Sequence, residues 1–231
     1  VYGIRLGYRL VRGLSETGAR KLLAKRAKRG PWQLLSECIN EVGLYRNDLT
    51  ALAAADGFHS FGVERRAALW AAEAAPYCPV LEDVEEPLGF RQESSVERME
   101  QDFESTSTTL GPHPAQIIRD EHWCFNVPPD KLVPANKIES HSDGEVMFVF
   151  GMVLVRQAPP SAKGMMFITM EDPTGSINLV FTPPLYKRWH NLIDSQSFLC
   201  VRGRLQLLQG ASSIMVQQIY EPTLTKAEVI P

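Results

Sequence analysis

The sequence has few cysteines and lacks a long apolar run. Its four cysteines stand far apart, without a C-x-x-C pair: Cys38, Cys78, Cys124 and Cys200. This spacing argues against a zinc site and is typical of a protein from a reducing cytosol. No run of about 18 apolar residues predicts a membrane span. Arg5 and Arg9 interrupt any signal-peptide core, and the missing initial methionine leads us to expect a piece of a longer polypeptide.

Catalytic motifs are also lacking. The adjacent carboxylates of Glu171 and Asp172 would point to opposite faces of a strand and so could not share a metal ion. His113, His122 and His141 fall in connector sequence without the spacing of a ligand set. Neither an H-x-x-E-H nor a G-x-S-x-G motif occurs. We therefore predict no catalytic and no metal-binding residue in this chain, and expect the chemistry of any parent enzyme to lie elsewhere.

The charged residues are unevenly distributed, although the formal net charge is only -3. Residues 1–30 carry nine arginines and lysines against Glu16 alone, whereas acidic side chains dominate residues 76–125. A dense cationic segment favours a phosphate-rich partner such as a nucleic acid, because such partners gain most from clustered positive charge. The alternative is an ordinary solvated face of a basic helix.

Residues 1–75 have the apolar spacing of α-helices. Ser15 is a suitable N-cap for a first helix that ends before Gly30. Further helices are predicted at residues 32–42, from an Asn47-Asp48 cap to Ala55, and at residues 64–75. The next segment, residues 76–136, is rich in proline and acidic residues. It predicts an irregular connector with one short helix near residues 96–103.

A short pattern recurs between these helices. Residues 13–19 and 62–68 both have a glycine, an apolar residue and, six places after the glycine, an alanine. This pattern is typical of the turn in a helix-hairpin-helix unit, whose unpaired backbone N–H groups can seat a phosphate. The cations around the two turns are predicted to bind the DNA backbone: Arg12, Arg20, Lys21, Arg65 and Arg66. For either copy alone, an ordinary helical hairpin is the alternative.

From residue 137 the apolar period changes to two, which predicts strands. Strands are expected at residues 145–156, 165–171, 177–182, 197–207 and 213–220, with a helix at residues 183–193. This order is that of an OB fold, a five-stranded barrel. Its interior should hold Met166, Ile168, Met170, Ile177, Leu179, Phe181, Leu199, Val201 and Leu205. The predicted fold class is α+β, with an all-α domain (1–75), an irregular acidic connector (76–136) and an OB domain (137–231).

OB folds bind oligonucleotides on strands two and three and in the loops that follow strands one and four. The first loop here is the Pro-Pro-Ser-Ala-Lys-Gly stretch at residues 159–164, and Gln209-Gly210 forms the second. These side chains are predicted to contact a single strand: Arg156, Lys163, Asn178, Arg202 and Arg204. Phe148, Phe150 and Phe167 are all candidates for the core, so few rings are left to stack on bases. Contact with a protein partner is therefore the alternative for the barrel.

Several stretches carry a resemblance to a known family. They are RLGYRLVRGLSETGARKLL, DLTALAAADGFHSFGVERRAALW, DFESTSTTLGPHP and, most specific of all, FVFGMVLVRQAPPSAKGMMFITMEDPTGSINLVF. With these the chain resembles, over nearly its whole length, the C-terminal part of error-prone DNA polymerases of the bacterial C family (the ImuC type, related to DnaE). The resemblance implies a tandem helix-hairpin-helix region followed by an OB domain. It places the DNA-binding hairpins on Gly13, Leu14 and Ser15 and on Gly62 and Val63.

The same resemblance implies a cytoplasmic parent enzyme that extends primers across damaged templates in the SOS response, using deoxynucleoside triphosphates and magnesium. Its catalytic domains would precede this chain, which would need no cofactor of its own. Ser15 departs from the second glycine of many such hairpins, which would loosen the approach to DNA. Gln101-Asp102-Phe103 only partly matches the clamp-binding pentapeptide of replicative relatives. This favours recruitment to the sliding clamp through an ImuB-type pseudo-polymerase, and a protein-docking module is the alternative to a DNA-holding one.

Overall fold

The computed structural model describes residues 6–75, 89–208 and 210–222. The chain divides into two compact units, Val1–Gly111 and Pro112–Pro231. This division falls inside the predicted connector, and the domain boundaries at residues 75 and 136 stay a prediction. Arg5, Cys78, Gln209 and the acidic residues at 82–86 lie outside the described residues.

The first unit is helical. Its helices are α1 Glu16–Arg29, α2 Leu35–Val42, α3 Arg46–Ala54, α4 Arg65–Ala74 and α5 Ser95–Thr106. Their apolar sides bury one cluster, in which the larger members are Leu22, Trp32, Leu35, Ile39, Val42, Leu49, Leu52 and Phe58. Burial of apolar surface of this kind is the main force that holds short helices together, because each helix alone is only marginally stable in water.

Two helix starts differ from the prediction. Helix α2 begins at Leu35 and not at residue 32. Helix α3 begins at Arg46 after Tyr45, without a side-chain cap, so the predicted Asn47-Asp48 cap is wrong. The reason is that Asp48 is turned inward, with 3% of its surface exposed, and accepts hydrogen bonds from Ser15.

The described part of the connector, residues 89–136, is more ordered than predicted. Helix α5 extends beyond the short helix expected there, mainly at its C-terminal end. Ser94 and Glu97 form a capping box at its start. Two further helices follow, α6 Pro114–Glu121 and α7 Ala135–Ile138. Proline is favoured in the first turn of a helix, where its missing N–H group costs nothing, and Pro114 begins α6 after the His113 cap.

The second unit is a closed barrel with the strand order β1-β2-β3-β5-β4. The strands are β1 Val146–Gln157, β2 Met166–Asp172, β3 Gly175–Phe181, β4 Phe198–Leu208 and β5 Ala211–Tyr220, with helix α8 Pro183–Ser195 between β3 and β4. The barrel closes where β3 and β5 run parallel, with Leu179 opposite Ile214. All nine side chains predicted to face the interior are buried. The predicted OB fold and the α+β class are confirmed.

Part of the predicted connector covers the outside of the barrel. The ring of Trp123 lies 5.0 Å from that of Phe150 on β1, and Phe125 lies 5.5 Å from the same ring. Phe198 of β4 stacks on Phe150 at 6.0 Å. The indole N–H of Trp123 donates to the carbonyl of Val127 at 2.7 Å, which satisfies its polar end. This segment is therefore an integral layer of the second unit and not a linker.

Buried thiols belong to both cores. Burial raises the pKa of Cys38 to about 11 and, beside Cys124, that of Cys200 to about 12. A thiol needs its thiolate form to act as a nucleophile. Both groups are therefore protonated at neutral pH and act as small apolar core residues.

No helix among the described residues is long and apolar enough to cross a membrane. In the same part of the chain, histidine, cysteine and carboxylate side chains do not gather into any group of three or more that could hold a metal ion.

Candidate nucleic-acid interface

The first predicted hairpin has the expected backbone. Gly13 has a φ of 83°, which favours glycine, and Leu14 packs against the helical core. Ser15 caps α1, because its Oγ accepts a hydrogen bond from the N–H of Gly18 at 2.9 Å. The glycine turn and the serine cap thus form at the residues that the pattern indicated.

A carboxylate of the protein itself, that of Asp48, already occupies the anion-binding position beside this hairpin. The N–H of Ser15 donates to Asp48 Oδ1 at 2.7 Å, and its hydroxyl donates to Asp48 Oδ2 at 2.9 Å. A Cβ atom at Gly18 would lie 2.3 Å from Asp48 Oδ2, so only glycine admits this carboxylate. The expectation that the N–H groups of this hairpin are unpaired is therefore wrong for Ser15. The sequence offered no sign of this contact, since the partners are 33 residues apart.

Arg12 ties the same hairpin to the end of helix α5. Its guanidinium group donates to the carbonyl of Glu104 at 3.2 Å and to Ser107 Oγ at 2.7 Å. Its backbone N–H donates to the carbonyl of Ser105 at 2.8 Å. A cation at a helix C-terminus satisfies the last carbonyl groups and complements the helix dipole. Arg12 therefore serves as a cap for α5.

The second hairpin is held by α5 as well. Gly62 has a φ of 72°, and Val63 packs against the helical core. Arg65, only 4% exposed, forms an ion pair with Asp102 of α5. The second carboxylate oxygen of Asp102 accepts a hydrogen bond from Thr109 at 2.7 Å. Arg65 is thus buried, and both carboxylate oxygens of the partly buried Asp102 have partners.

Arg66 joins a second group of charges at the start of α5. It donates to the carbonyl of Arg91 at 2.8 Å and lies 3.3 Å from Glu97. The pKa of Glu97 is lowered, first because the N–H of Ser94 donates to it and then because Arg91 and Arg66 place positive charge beside it. Arg12, Arg65 and Arg66 thus all face α5 and do not surround an open seat for phosphate.

The other two predicted cations of this unit lie on the exposed part of α1. Arg20 forms an ion pair with Glu16 at 2.7 Å, both side chains being largely exposed. Lys21 donates from Nζ to the carbonyl of Gly43, just past the end of α2. Exposed pairs such as the first contribute little to stability, so both cations can turn toward a ligand at low cost.

In the second unit, the outer face of β2 and β3 carries an aromatic ring. Phe167 on β2 is 37% exposed, so of the three core candidates it is the one outside the core. Phe150 is buried, and Phe148 packs beside it. In register with Phe167 lies Val180 of β3, followed by Met215 of β5.

Polar groups continue this face. Thr169 on β2 donates to Asn178 Oδ1 on β3 at 3.2 Å. Asn178 donates in turn to the carbonyl of Ser212 at 3.4 Å. Arg204 lies opposite Met215 and is exposed, with one donor on the carbonyl of Gly144 at 2.9 Å. The structure thus brings Asn178 and Arg204 to the face that holds Phe167.

Three other predicted barrel residues have different surroundings. Arg156 donates from Nε to the carbonyl of Ile193 at 2.8 Å and also to that of Gln196. It therefore caps α8 and is not directed at the loop. Arg202 lies two residues before Arg204 on β4, on the same outer side, where its guanidinium group donates to Gln217 Oε1 at 3.5 Å. Lys163 is exposed at a φ of 50° in the loop between β1 and β2.

Comparisons with known proteins agree with this geometry. Residues 1–68 match a family model described as a helix-hairpin-helix motif, and residues 147–222 match an OB-fold nucleic acid binding domain. The chain is 33% identical over 95% of its length to error-prone DNA polymerase 2 of Rhizobium meliloti, of which it covers 21%. It is 35% identical over 95% of its length to the error-prone DNA polymerase of Burkholderia mallei, of which it covers 20%.

This chain resembles part of an error-prone DNA polymerase. The family resemblance inferred from the sequence is therefore confirmed, and the chain spans about a fifth of the length of these relatives. Among solved structures, asparaginyl-tRNA synthetase from Pyrococcus horikoshii matches with 14% identity and a TM-score of 0.35, over 42% of this chain and 24% of that one.

Proposed function

We propose that this chain is a non-catalytic DNA-holding part of an error-prone DNA polymerase. The observation that carries the proposal is the exposed ring of Phe167 on the β2–β3 face of an OB barrel. A base can stack on an aromatic ring whatever its identity, which suits a template strand of any sequence. Asn178 and Arg204 beside it supply a polar contact and a positive charge for the strand.

The helical unit supplies the duplex-holding part of this proposal. Its helix-hairpin-helix match and its nine cations within residues 1–30 support contact with the phosphodiester backbone, without sequence reading. Arg20 and Lys21 are the predicted cations of this unit that are exposed and do not contact α5.

By similarity to the named relatives, we extend the proposal to the parent protein. It would be a cytoplasmic nucleotidyltransferase that uses magnesium and deoxynucleoside triphosphates for translesion synthesis after DNA damage, as part of the SOS response. An ImuB-type pseudo-polymerase would recruit it to the sliding clamp. The chemistry would belong to domains outside the chain described above.

A second candidate is docking of a protein partner by the barrel. At the end of β4, Leu207 and Leu208 are 40% and 72% exposed, next to one of the loops that OB folds use for ligands. Neighbouring exposed leucines are more suited to an apolar protein surface than to phosphate. In this case Leu208→Ser would weaken binding to a purified pseudo-polymerase and leave DNA affinity unchanged.

Replacing Phe167 by alanine tests the first candidate. We expect affinity for a single-stranded oligonucleotide to fall by about 1–3 kcal/mol, the usual effect of losing one stacking platform. Fluorescence anisotropy of a labelled oligonucleotide measures it. Trp70→Ala is the matched control, since Trp70 is an exposed ring in the other unit. Equal affinities of the Phe167→Ala variant and the unchanged chain would rule out the proposed stacking role.

A further inference from the structure

Helix α1 is attached to its unit by a narrow strip. Gly18 and Leu22 are its buried residues, and every lysine and arginine along it is exposed. Two of these cations, Arg29 and Arg20, are neutralised by carboxylates of the same unit. Arg29 contacts Glu37 at 3.1 Å and Glu41 at 2.7 Å, and Arg20 is paired with Glu16 as described above.

Three lysines lie along another side of α1. Lys21, Lys25 and Lys28 are spaced at i, i+4 and i+7, which places them in one row on a helix; we call them the lysine row. Within the described part of the chain, none of the three forms an ion pair with a carboxylate. Lys21 uses one donor on the carbonyl of Gly43, and an ammonium group has three.

The usual positions for a phosphate in this unit are already taken. Asp48 fills the seat at the first hairpin, and α5 holds the guanidinium groups that flank both turns. A polyanion would have to displace the buried carboxylate of Asp48 or the hydrogen-bonded carboxylate of Asp102 there, which is costly. At the lysine row it displaces only water and counterions.

We propose that the lysine row binds the phosphodiester backbone of duplex DNA. The proposal rests on the DNA-holding function proposed above and moves its main contact from the hairpin turns to the flank of α1. The row spans about 10 Å at 1.5 Å per residue, which matches about three phosphates at 3.4 Å of helix axis each. Lysine ammonium groups act as point charges, which suits contact with phosphate without reading of sequence.

The test is the salt dependence of binding to a blunt DNA duplex. The full chain with Lys21→Gln, Lys25→Gln and Lys28→Gln is compared with the unchanged chain between about 50 and 200 mM salt. Glutamine keeps the helix propensity of lysine, and circular dichroism checks the fold. We expect the slope of log K against log salt to become shallower by about 2.7, and the affinity at low salt to fall at least about tenfold.

A matched control removes the same charge elsewhere. Lys131→Gln, Lys137→Gln and Lys187→Gln take three exposed lysines from the second unit, and this variant should keep its slope. A double variant with Lys25→Gln and Lys28→Gln leaves the Lys21 contact with Gly43 intact and should change the slope by about 1.8.

The outcomes separate the two proposals. If the unchanged chain and the lysine-row variant bind duplex with the same slope of log K against log salt, the proposed role of the lysine row is wrong. The DNA-holding function would stand. Equal losses in the lysine-row and control variants would also overturn the lysine row, because they show a general effect of net charge. If the unchanged chain binds no DNA even at low salt, both proposals fail.

Discussion

Removing the carboxylate of Asp102 should lower the free energy of unfolding of the helical unit by about 3–5 kcal/mol. The side chain of its partner Arg65 is only 3% exposed, and Asp102→Ala would leave this guanidinium charge buried without a counterion. The loss of the Thr109 hydrogen bond adds to the effect. Native-state hydrogen exchange of the backbone amides of α4 measures the change in this unit alone.

Two variants sharpen this result. Glu100→Ala removes an exposed carboxylate from the same helix and should change stability by no more than about 0.5 kcal/mol. Replacing both partners, Arg65→Met with Asp102→Leu, should destabilise less than Asp102→Ala alone, because no unpaired charge stays buried. A small effect of Asp102→Ala would mean that α5 does not hold the second hairpin as described.

Replacing Phe150 by alanine should destabilise the barrel unit by about 3–5 kcal/mol. Phe150 is 5% exposed and contacts the rings of Trp123, Phe125 and Phe198. The substitution leaves a cavity between β1 and the segment that covers it. We expect faster hydrogen exchange in residues 114–132 as well as in β1, because the two layers share this cluster.

The control is a large apolar residue outside any core. Leu110 is 85% exposed, and Leu110→Ala should leave the unfolding free energy of both units within about 0.5 kcal/mol of the original. If Phe150→Ala slowed or left unchanged the exchange of residues 114–132, that segment would be a linker after all.

Local patterns in the sequence were sufficient to predict the barrel strands and the turns between helices. Alternating apolar residues identified the interior of β2, β3 and β4, because each side-chain position along a strand has a fixed face. The glycine of each hairpin was found because a φ near 80° is open to few other residues. The caps at Ser15 and Gly30 follow from equally local chemistry.

Contacts between distant residues were not predictable in this way. Arg65 meets Asp102 across 37 residues, and Arg156 meets Gln196 across 40. From sequence alone, both arginines resemble surface cations beside a DNA-binding turn or loop. Arg156 satisfies carbonyl groups at the end of α8, and Arg65 pairs with Asp102. Neither partner can be identified before the helices and strands are packed together.

The predicted contacts with DNA stay predictions, and the structure shows where their residues lie. Asn178 and Arg204 lie on the outer barrel face that holds Phe167. Phe167 was kept among the candidates for the core, although alternation with Met166 and Ile168 places it on the outer side of β2. Lys25 and Lys28 were not among the predicted DNA-binding residues, although their spacing from Lys21 places all three in one row on a helix. Charge alone was a poor guide, because it does not distinguish a cation that caps a helix from one that is exposed to a ligand.

The most direct test of the account is whether this chain by itself binds primer–template DNA in a salt-dependent way. The full chain is titrated with DNA of two unrelated sequences at several salt concentrations. A DNA-holding chain should bind both sequences equally, with log K falling linearly as log salt rises. The absence of binding at about 50 mM salt, or an affinity unchanged up to about 200 mM, would contradict it.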